Sequence, residues 1–267
     1  MIVLFTDFGL EGPYTGQVEA VLYRAAPGVP VIGLFADAPA GMPKPAAYLL
    51  AAYGVWFPPG TVFLAVIDPG VGSLRLPVVV EAEGRWYVGP DNGLFELVMR
   101  RAEGAQSWEI VWRPETLSAS FHGRDLFAPV AGWLARGERP AHQPRPSEIG
   151  RHPDWPDDLP EIVYIDRFGN AITGLRASLL PPGARLILSG REVGRARTFS
   201  DVEPGEAFCT RTRTASPRSR SIPGGPQTLC DWRPAALSPF RDDRQTRRHR
   251  GLQGGGITTL TPAGTLS

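Results

Sequence analysis

"TVFLAVIDPGVGSLR" occupies Thr61–Arg75, and its first seven residues settle the fold class. Thr61–Ile67 is an unbroken apolar run rich in β-branched residues, fenced by Pro58-Pro59-Gly60 before it and Asp68-Pro69-Gly70 after it. A short apolar run between two turns predicts a strand buried on both faces, as in the middle of an α/β sheet. Asp68 then stands at the carboxyl end of that strand, where open α/β sheets bind ligands. Gly70 and Gly72 let the backbone approach a ligand closely, and the turn can return Arg75 to Asp68. The same residues also suit a tight turn closed by a structural ion pair.

The flanking sequence carries the alternation outward. Upstream lie a strand at Ile2–Thr6 ending in Asp7, helical spacing over Gly16–Ala26, a strand at Val29–Phe35 and a helix over Lys44–Tyr53. Downstream, Leu76–Glu83 and Arg85–Val88 read as a hairpin and Pro90–Gly93 as a turn. A helix follows with Leu94, Leu97 and Val98 on one face and Arg100 and Arg101 at its end. Leu126–Arg136 predicts another, with Asp125 as N-cap and Gly137 as its stop. Residues 1–140 are therefore expected to form an α/β sandwich-type domain. A proline-rich stretch, 141–160, reads as a linker. Short strands at Glu161–Ile165, Ala171–Leu175, Arg185–Ser189 and Arg195–Phe199 predict a small β-barrel domain over 161–208. It lacks the strands it needs to close.

Composition bounds the function classes. The chain has 267 residues, 42% hydrophobic and 21% charged, with a net charge of +1, so its overall charge makes no case for an anionic partner. Two cysteines are too few for a disulfide framework. No apolar run reaches membrane-span length, and the chain opens on a strand rather than a signal peptide, so a soluble, cytoplasmic protein is expected. The totals hide an asymmetry. Cys209–Gln253 contains ten arginines and no lysine, valine, tyrosine or glutamate. Composition alone marks a break near residue 208.

Four further stretches carry possible chemistry. "FTDFG" puts Asp7 at the end of the first strand, as a turn former, a sugar-hydroxyl acceptor or a metal ligand. "SFHGRDLFAP" wedges His122 between Phe121 and Gly123 at a helix entrance, with Arg124 and Asp125 serving local structure. "GPDNGL" is a turn containing Asp91. "IDRFGNAIT" groups Asp166, Phe168 and Asn170, a plain β-turn or a surface suited to a nucleoside or amino acid.

Taken in order, TDFG, FPPGTV, VIDPGVGS with Arg75, GPDNGL, FHGRDLFAP and DRFGN closely resemble the S-adenosyl-L-methionine hydroxide adenosyltransferases, or SAM hydrolases. These are relatives of the bacterial fluorinase and chlorinase, and the resemblance runs from Met1 to about Phe208. It implies an N-terminal α/β domain, a C-terminal β-barrel, and a homotrimer with active sites between subunits. It also implies hydrolysis of S-adenosyl-L-methionine to adenosine and methionine by attack of water or hydroxide on ribose C5′, with no cofactor and no metal. On this resemblance Asp68, Arg75 and His122 are the catalytic triad, and which of the three takes the proton stays open. Asp7 corresponds to the ribose-diol carboxylate, Asp166 to the carboxylate near the methionine ammonium, and Asn170 to the adenine-side amide. Phe121, Gly123 and Phe168 complete the substrate-binding set. Gly123 replaces the fluorinase's halide-contacting serine and the long fluorinase loop is absent, which argues against fluorination. Gly12 and Gly33–Ala36 depart from the family's more polar residues at those places.

Two rival readings make distinct demands. A metal-dependent phosphohydrolase would use Asp7, Asp68 and Asp91 as ligands and would be stopped by chelator. A nucleic-acid-binding protein would use the arginines after residue 208 and would bind in a salt-sensitive way. The arginine-rich stretch has a different explanation in codon degeneracy. Read one base earlier from Phe208, Cys209–Pro226 is compatible with L-(H/Y)-E-N-S-N-G-L-A-E-V-A-I-N-P-G-R-A, which matches the barrel segment the family carries there. Residues 209–267 are accordingly expected to be out of frame and without ordered structure, and this polypeptide to bind S-adenosyl-L-methionine poorly. No nucleic-acid or membrane partner is expected.

Overall fold

The computed structural model describes residues 1–145, 151–180, 186–188, 191–196, 201–202, 207–211, 229–234 and 261–262. Two units result, Met1–Asp157 and Asp158–Ser267. In the first, β1 (Ile2–Thr6) and β3 (Val62–Val66) are buried along their whole length. The strand expected from Thr61–Ile67 is thus β3, near the middle of a mixed seven-stranded sheet. With β2 (Val31–Phe35), β4 (Pro77–Ala82), β5 (Arg85–Pro90), β6 (Gln106–Ile110) and β7 (His142–Pro144), the order is β2-β1-β3-β5-β4-β6-β7. β1 runs parallel to β2 and β3, and β3 parallel to β5, with Ile2 opposite Val62 and Leu64 opposite Val88. The β4–β5 hairpin then turns the rest of the sheet antiparallel.

Strand alternation sorts the core into two layers. Ile2, Leu4, Val62, Leu64 and Val66 face α1 (Tyr14–Ala25) and α4 (Ala128–Ala135), packing with Val18, Leu22, Val130 and Leu134. At that crossing a Cβ on Gly132 would meet the Ala25 Cβ at 2.6 Å, so glycine lets the two helices close. On the opposite side Phe63 stacks on Tyr87 at 4.9 Å, and Tyr53 of α2 (Pro43–Gly54) meets Phe35 at 5.5 Å.

Several expectations need correction. Asp125 does not cap α4. It lies inside a π-helical turn, Gly123–Phe127, that runs directly into the helix, and its carboxylate is spent on neighbouring groups. β6 was not expected, because Gln106-Ser-Trp-Glu-Ile110 offers one fully buried residue. The proline-rich stretch contributes β7, which pairs with β6 as Trp108 opposite Pro144. Its residues 151–157 are strapped across α3 (Glu96–Arg101): Arg100 donates to the Trp155 carbonyl at 2.6 Å and the His152 carbonyl at 2.7 Å. Tyr48 of α2 donates to the Pro156 carbonyl.

Glu96 anchors this strap from a buried position, accepting Arg151 Nε at 2.6 Å, Arg100 Nη2 at 2.7 Å and the His152 amide at 3.1 Å. Burial works to raise its carboxyl, but hydrogen bonds from Arg151, the His152 amide and Arg100 outweigh it and hold the group down from 4.5 to about 2. A depressed carboxylate stabilises the fold above its unfolded value and loses that contribution as pH falls through its folded value, a difference of about 3 kcal/mol here. Glu96→Gln should therefore lower stability by about 3 kcal/mol at pH 7, measured by urea unfolding. The deficit should shrink as the pH is taken from 4.5 towards 2; a constant deficit would contradict the assignment.

The second unit begins with the hairpin β8 (Leu159–Ile165) and β9 (Ala171–Arg176), in register with Leu159 opposite Gly174 and Ile165 opposite Ala171. Further strands are β10 (Leu186–Leu188), β11 (Arg191–Arg195), β12 (Ala207–Arg211), β13 (Leu229–Pro234) and β14 (Thr261–Pro262). They pair in the order β14-β10-β11-β12-β13-β9-β8. Among the described strands, β14 and β8 are the two ends of this sheet, and no pairing closes it into a barrel. β11 runs four residues earlier than the strand expected at Arg195–Phe199, of which 197–199 lie outside the described residues. Most of 209–267, expected to be without order, also lies outside them. The described part holds the end of β12, β13 and β14, and the Leu-Cys-Asp-Trp run of β13 supplies β-forming residues within an arginine- and proline-rich context. Cys209 is buried and disulfide-bonded.

Candidate active site

The carboxyl ends of β1 and β3 open into a cleft of about 570 Å³ within the first unit. Asp7 leaves the end of β1 with its Oδ2 accepting the Gly41 amide at 2.8 Å, which ties the strand end to the turn before α2. Asp68 stands two residues beyond β3. The chain after it turns through a Ser73 amide to Gly70 carbonyl bond of 3.1 Å and brings Arg75 Nη2 to 2.5 Å from Asp68 Oδ1. The ion pair is largely shielded, with the Arg75 and Asp68 side chains 14% and 7% exposed.

Both Asp68 oxygens are buried, and neither has a well-aligned hydrogen bond among the described residues. Burial raises its carboxyl above the ordinary value, against the pull of Arg75, the Gly70 amide and His122. That is the electrostatic state of a carboxylate ready to accept a proton. Behind it, Asn92 donates to the Ile67 carbonyl at 2.8 Å and fixes the strand end. Nothing in the sequence singled out Asn92, because its place in the "GPDNGL" turn explains it fully.

The opposite wall is the loop Ser118–His122 and the π-helical turn that follows. The two catalytic-looking loops touch: a Cβ on Gly72, whose φ is +82°, would stand 2.8 Å from the Ala119 carbonyl oxygen. Gly123 is similarly confined, since a Cβ there would meet the Phe8 ring at 2.8 Å. A serine at this position has no room unless Phe8 moves. Phe121 packs edge-to-face with Phe8 at 5.7 Å and with Tyr14 at 5.4 Å, so three aromatic rings line the cleft beside the carboxylates. Phe8, Tyr14, Gln17 and Ser118 were not singled out from sequence. Only Phe8 carried a signal, through its place beside Asp7.

The structure brings Asp7, Asp68, Phe121, His122 and Gly123 around one cleft, with Arg75 against Asp68. Asp166, Phe168 and Asn170 lie in the second unit, in the turn between β8 and β9. There Asp166 Oδ1 accepts the Phe168 amide at 2.8 Å and the Asn170 amide at 2.9 Å, and Oδ2 accepts the Asn170 side chain at 2.6 Å. Asn170 is buried and Phe168 is 61% exposed.

The metal reading fares differently. Asp91 gives both carboxylate oxygens to Arg145 Nη2 at 2.6 Å, and among the described residues no three His, Cys, Asp or Glu side chains group around a metal position. Asp91 is thereby committed to an arginine. No helix among the described residues is long and apolar enough to cross a membrane.

Comparison with known proteins bears on the family. Residues 2–143 match the profile of the SAM hydroxide adenosyltransferase N-terminal domain, and residues 160–212 that of its C-terminal domain. The chain is similar to an (R)-S-adenosyl-L-methionine hydrolase of Thermus thermophilus, 39% identical over 222 residues that cover 76% of this chain and 85% of the relative. A Salinispora tropica protein of the same name is 36% identical over 216 residues, covering 75% and 82%. Among solved structures, an uncharacterized conserved protein from Thermotoga maritima superposes with a TM-score of 0.72 at 26% identity, covering 87% of this chain and 92% of that one. With both domain profiles matched in order, and the motif residues Asp7, Asp68 and His122 gathered at one cleft, the chain belongs to the SAM hydroxide adenosyltransferase family.

Proposed function

We propose that this chain hydrolyses S-adenosyl-L-methionine to adenosine and L-methionine, on the (R)-sulfonium epimer named for its relatives. The observation that carries the reading is Asp68: a buried carboxylate raised above its ordinary value, ion-paired to Arg75 at 2.5 Å, and lining a cleft it shares with His122. A water held between Asp68 and His122 attacks ribose C5′ in line with the C5′–S bond. As the C–O bond forms, the C–S pair returns to sulfur, which leaves as a neutral thioether, and the water's proton passes to Asp68. Arg75 keeps the carboxylate ionised until then. The sulfonium is already an activated leaving group, so neither a general acid nor a cofactor is required on that side.

Asp7 would receive the ribose diol at the end of β1. Asp166, Phe168 and Asn170 would serve the methionine ammonium and the adenine from the barrel that the intact family sequence closes. The working assembly would be a cytoplasmic homotrimer. Exposed Leu10 and Leu74, on the loops after β1 and β3, are apolar surface that a neighbouring subunit could cover. The domain plan proposed keeps 1–140 as the catalytic domain, 161–208 as the barrel's start and an out-of-frame remainder, with the 141–157 stretch belonging to the first unit rather than forming a free linker. The end of the second profile match at residue 212, four residues past Phe208, supports that last boundary.

The test is incubation of the frame-restored chain, beside the chain as it stands, with S-adenosyl-L-methionine, with and without chelator, followed by chromatography for adenosine and methionine. Equal amounts of both products, unaffected by chelator, are expected from the frame-restored chain. Turnover by that chain that stops with chelator would favour the metal reading, and cleavage yielding other products would overturn the proposal.

A further inference from the structure

Two charged residues at the cleft wall have no task in this chemistry, Arg124 and Asp125. Adjacent residues on a regular helix point apart, yet within the π-helical turn these two meet: Arg124 Nε donates to Asp125 Oδ1 at 2.6 Å and Nη2 to Oδ2 at 3.1 Å. Each then bonds outward. Asp125 Oδ2 accepts the Ser118 amide at 3.0 Å, across the loop that ends in His122. Arg124 Nη1 donates to Gln17 Oε1 on α1 at 2.7 Å, and its guanidinium lies over the Phe121 ring at 5.0 Å. The His122 side chain makes no hydrogen bond to any described residue, so its ring is aimed by its backbone and its neighbours alone. Through this pair the loop is tied to its own start at Ser118 and to α1 at Gln17.

We propose that Arg124 and Asp125 form a positioning clamp that fixes His122 opposite Asp68, fastening the His122 loop at Ser118 and to α1 at Gln17. The pair stays charged: hydrogen bonds from Arg124 hold the Asp125 carboxyl below its ordinary value, against burial, helped by the Ser118 amide. π-helical turns within helices are concentrated at functional sites, where they re-aim side chains that a regular helix would misplace. The catalytic consequence rests on the hydrolase reading above; the clamp itself does not.

The experiment follows the ring carbon–proton NMR signal of His122 in the full chain, assigned by its disappearance in His122→Gln. Only four histidines contribute. One narrow His122 signal is expected in the unaltered chain, and a shifted or broadened one in Asp125→Ala and Arg124→Gln, with the other three histidines unmoved. Gln17→Leu, on a half-exposed helix face, loosens only the α1 tie and gives a smaller shift, so the clamp is still read if Asp125→Ala fails to fold. Where turnover is measured, kcat should fall about 10²-fold with KM unchanged, and Arg124→Lys should recover part of it. An unmoved His122 signal in Gln17→Leu and Arg124→Gln, or a loss confined to KM, would overturn the clamp. If the frame-restored chain yields no adenosine, the hydrolase reading fails while the His122 signal still decides the clamp.

Discussion

Replacing Asp68 with asparagine should remove about 10³-fold of the turnover while leaving the fold as stable as before or more so. The two halves have one cause. Burial holds the Asp68 carboxyl above its ordinary value, so the folded state keeps its proton more tightly than the unfolded state does. A raised carboxyl contributes stability below its unfolded value and loses it as pH rises through the folded one, and at neutral pH the buried charge is a net cost. Asparagine keeps the shape and removes the charge. Loss of activity together with loss of several degrees of melting temperature would mean instead that the Asp68–Arg75 pair is structural. The same shift sets the acid limb of kcat/KM: activity should fall as pH drops through a value above the ordinary carboxylate range, and Asp68→Glu should move that limb.

Restoring the family's reading frame after Phe208 should raise affinity for S-adenosyl-L-methionine by about 10²-fold or more over the chain as it stands. On the frameshift reading, the segment replaced would have carried the Asn-Ser pair and the backbone that meets the adenine. Two hydrogen bonds to charged or strongly polar groups, at about 1.5–3 kcal/mol each, correspond to about 10²–10⁴ in Kd. On the same reading, an Arg-, Ser- and Pro-rich composition is poorly suited to rebuild that wall. Calorimetry on both chains reads the difference directly. Micromolar binding by the chain as it stands would refute the frame argument, as would coding DNA with no missing or extra base at that codon.

Much of the first unit was legible because its strands are continuous apolar runs. Thr61–Ile67 and Ile2–Thr6 announce themselves, and the carboxylates that follow each of them mark the cleft. The pairing of Asp68 with Arg75 was also open to the eye, since Gly70 and Gly72 permit the return. What could not be read depends on tertiary partners. β6 and β7 are polar strands at one end of the sheet, β7 its edge, defined by their neighbours, and the strap at 151–157 owes its place to Glu96 and Arg100, distant in sequence. Asp125 looked like an N-cap because it stands just ahead of an apolar helix. Its true neighbours, Arg124 and Ser118, are set by a π-helical turn that no periodicity signals. The crowding at Gly123 lay equally out of reach, since Phe8 comes from another strand end.

The central claim is that Asp68 activates a water for in-line attack on C5′, and the most direct test runs the reaction in ¹⁸O-enriched water. The frame-restored chain should place one ¹⁸O in the 5′-hydroxyl of the adenosine formed, with unlabelled methionine, and Asp68→Asn should nearly abolish that product. Adenosine without the label, or label appearing undiminished in the Asp68→Asn variant, would contradict the account.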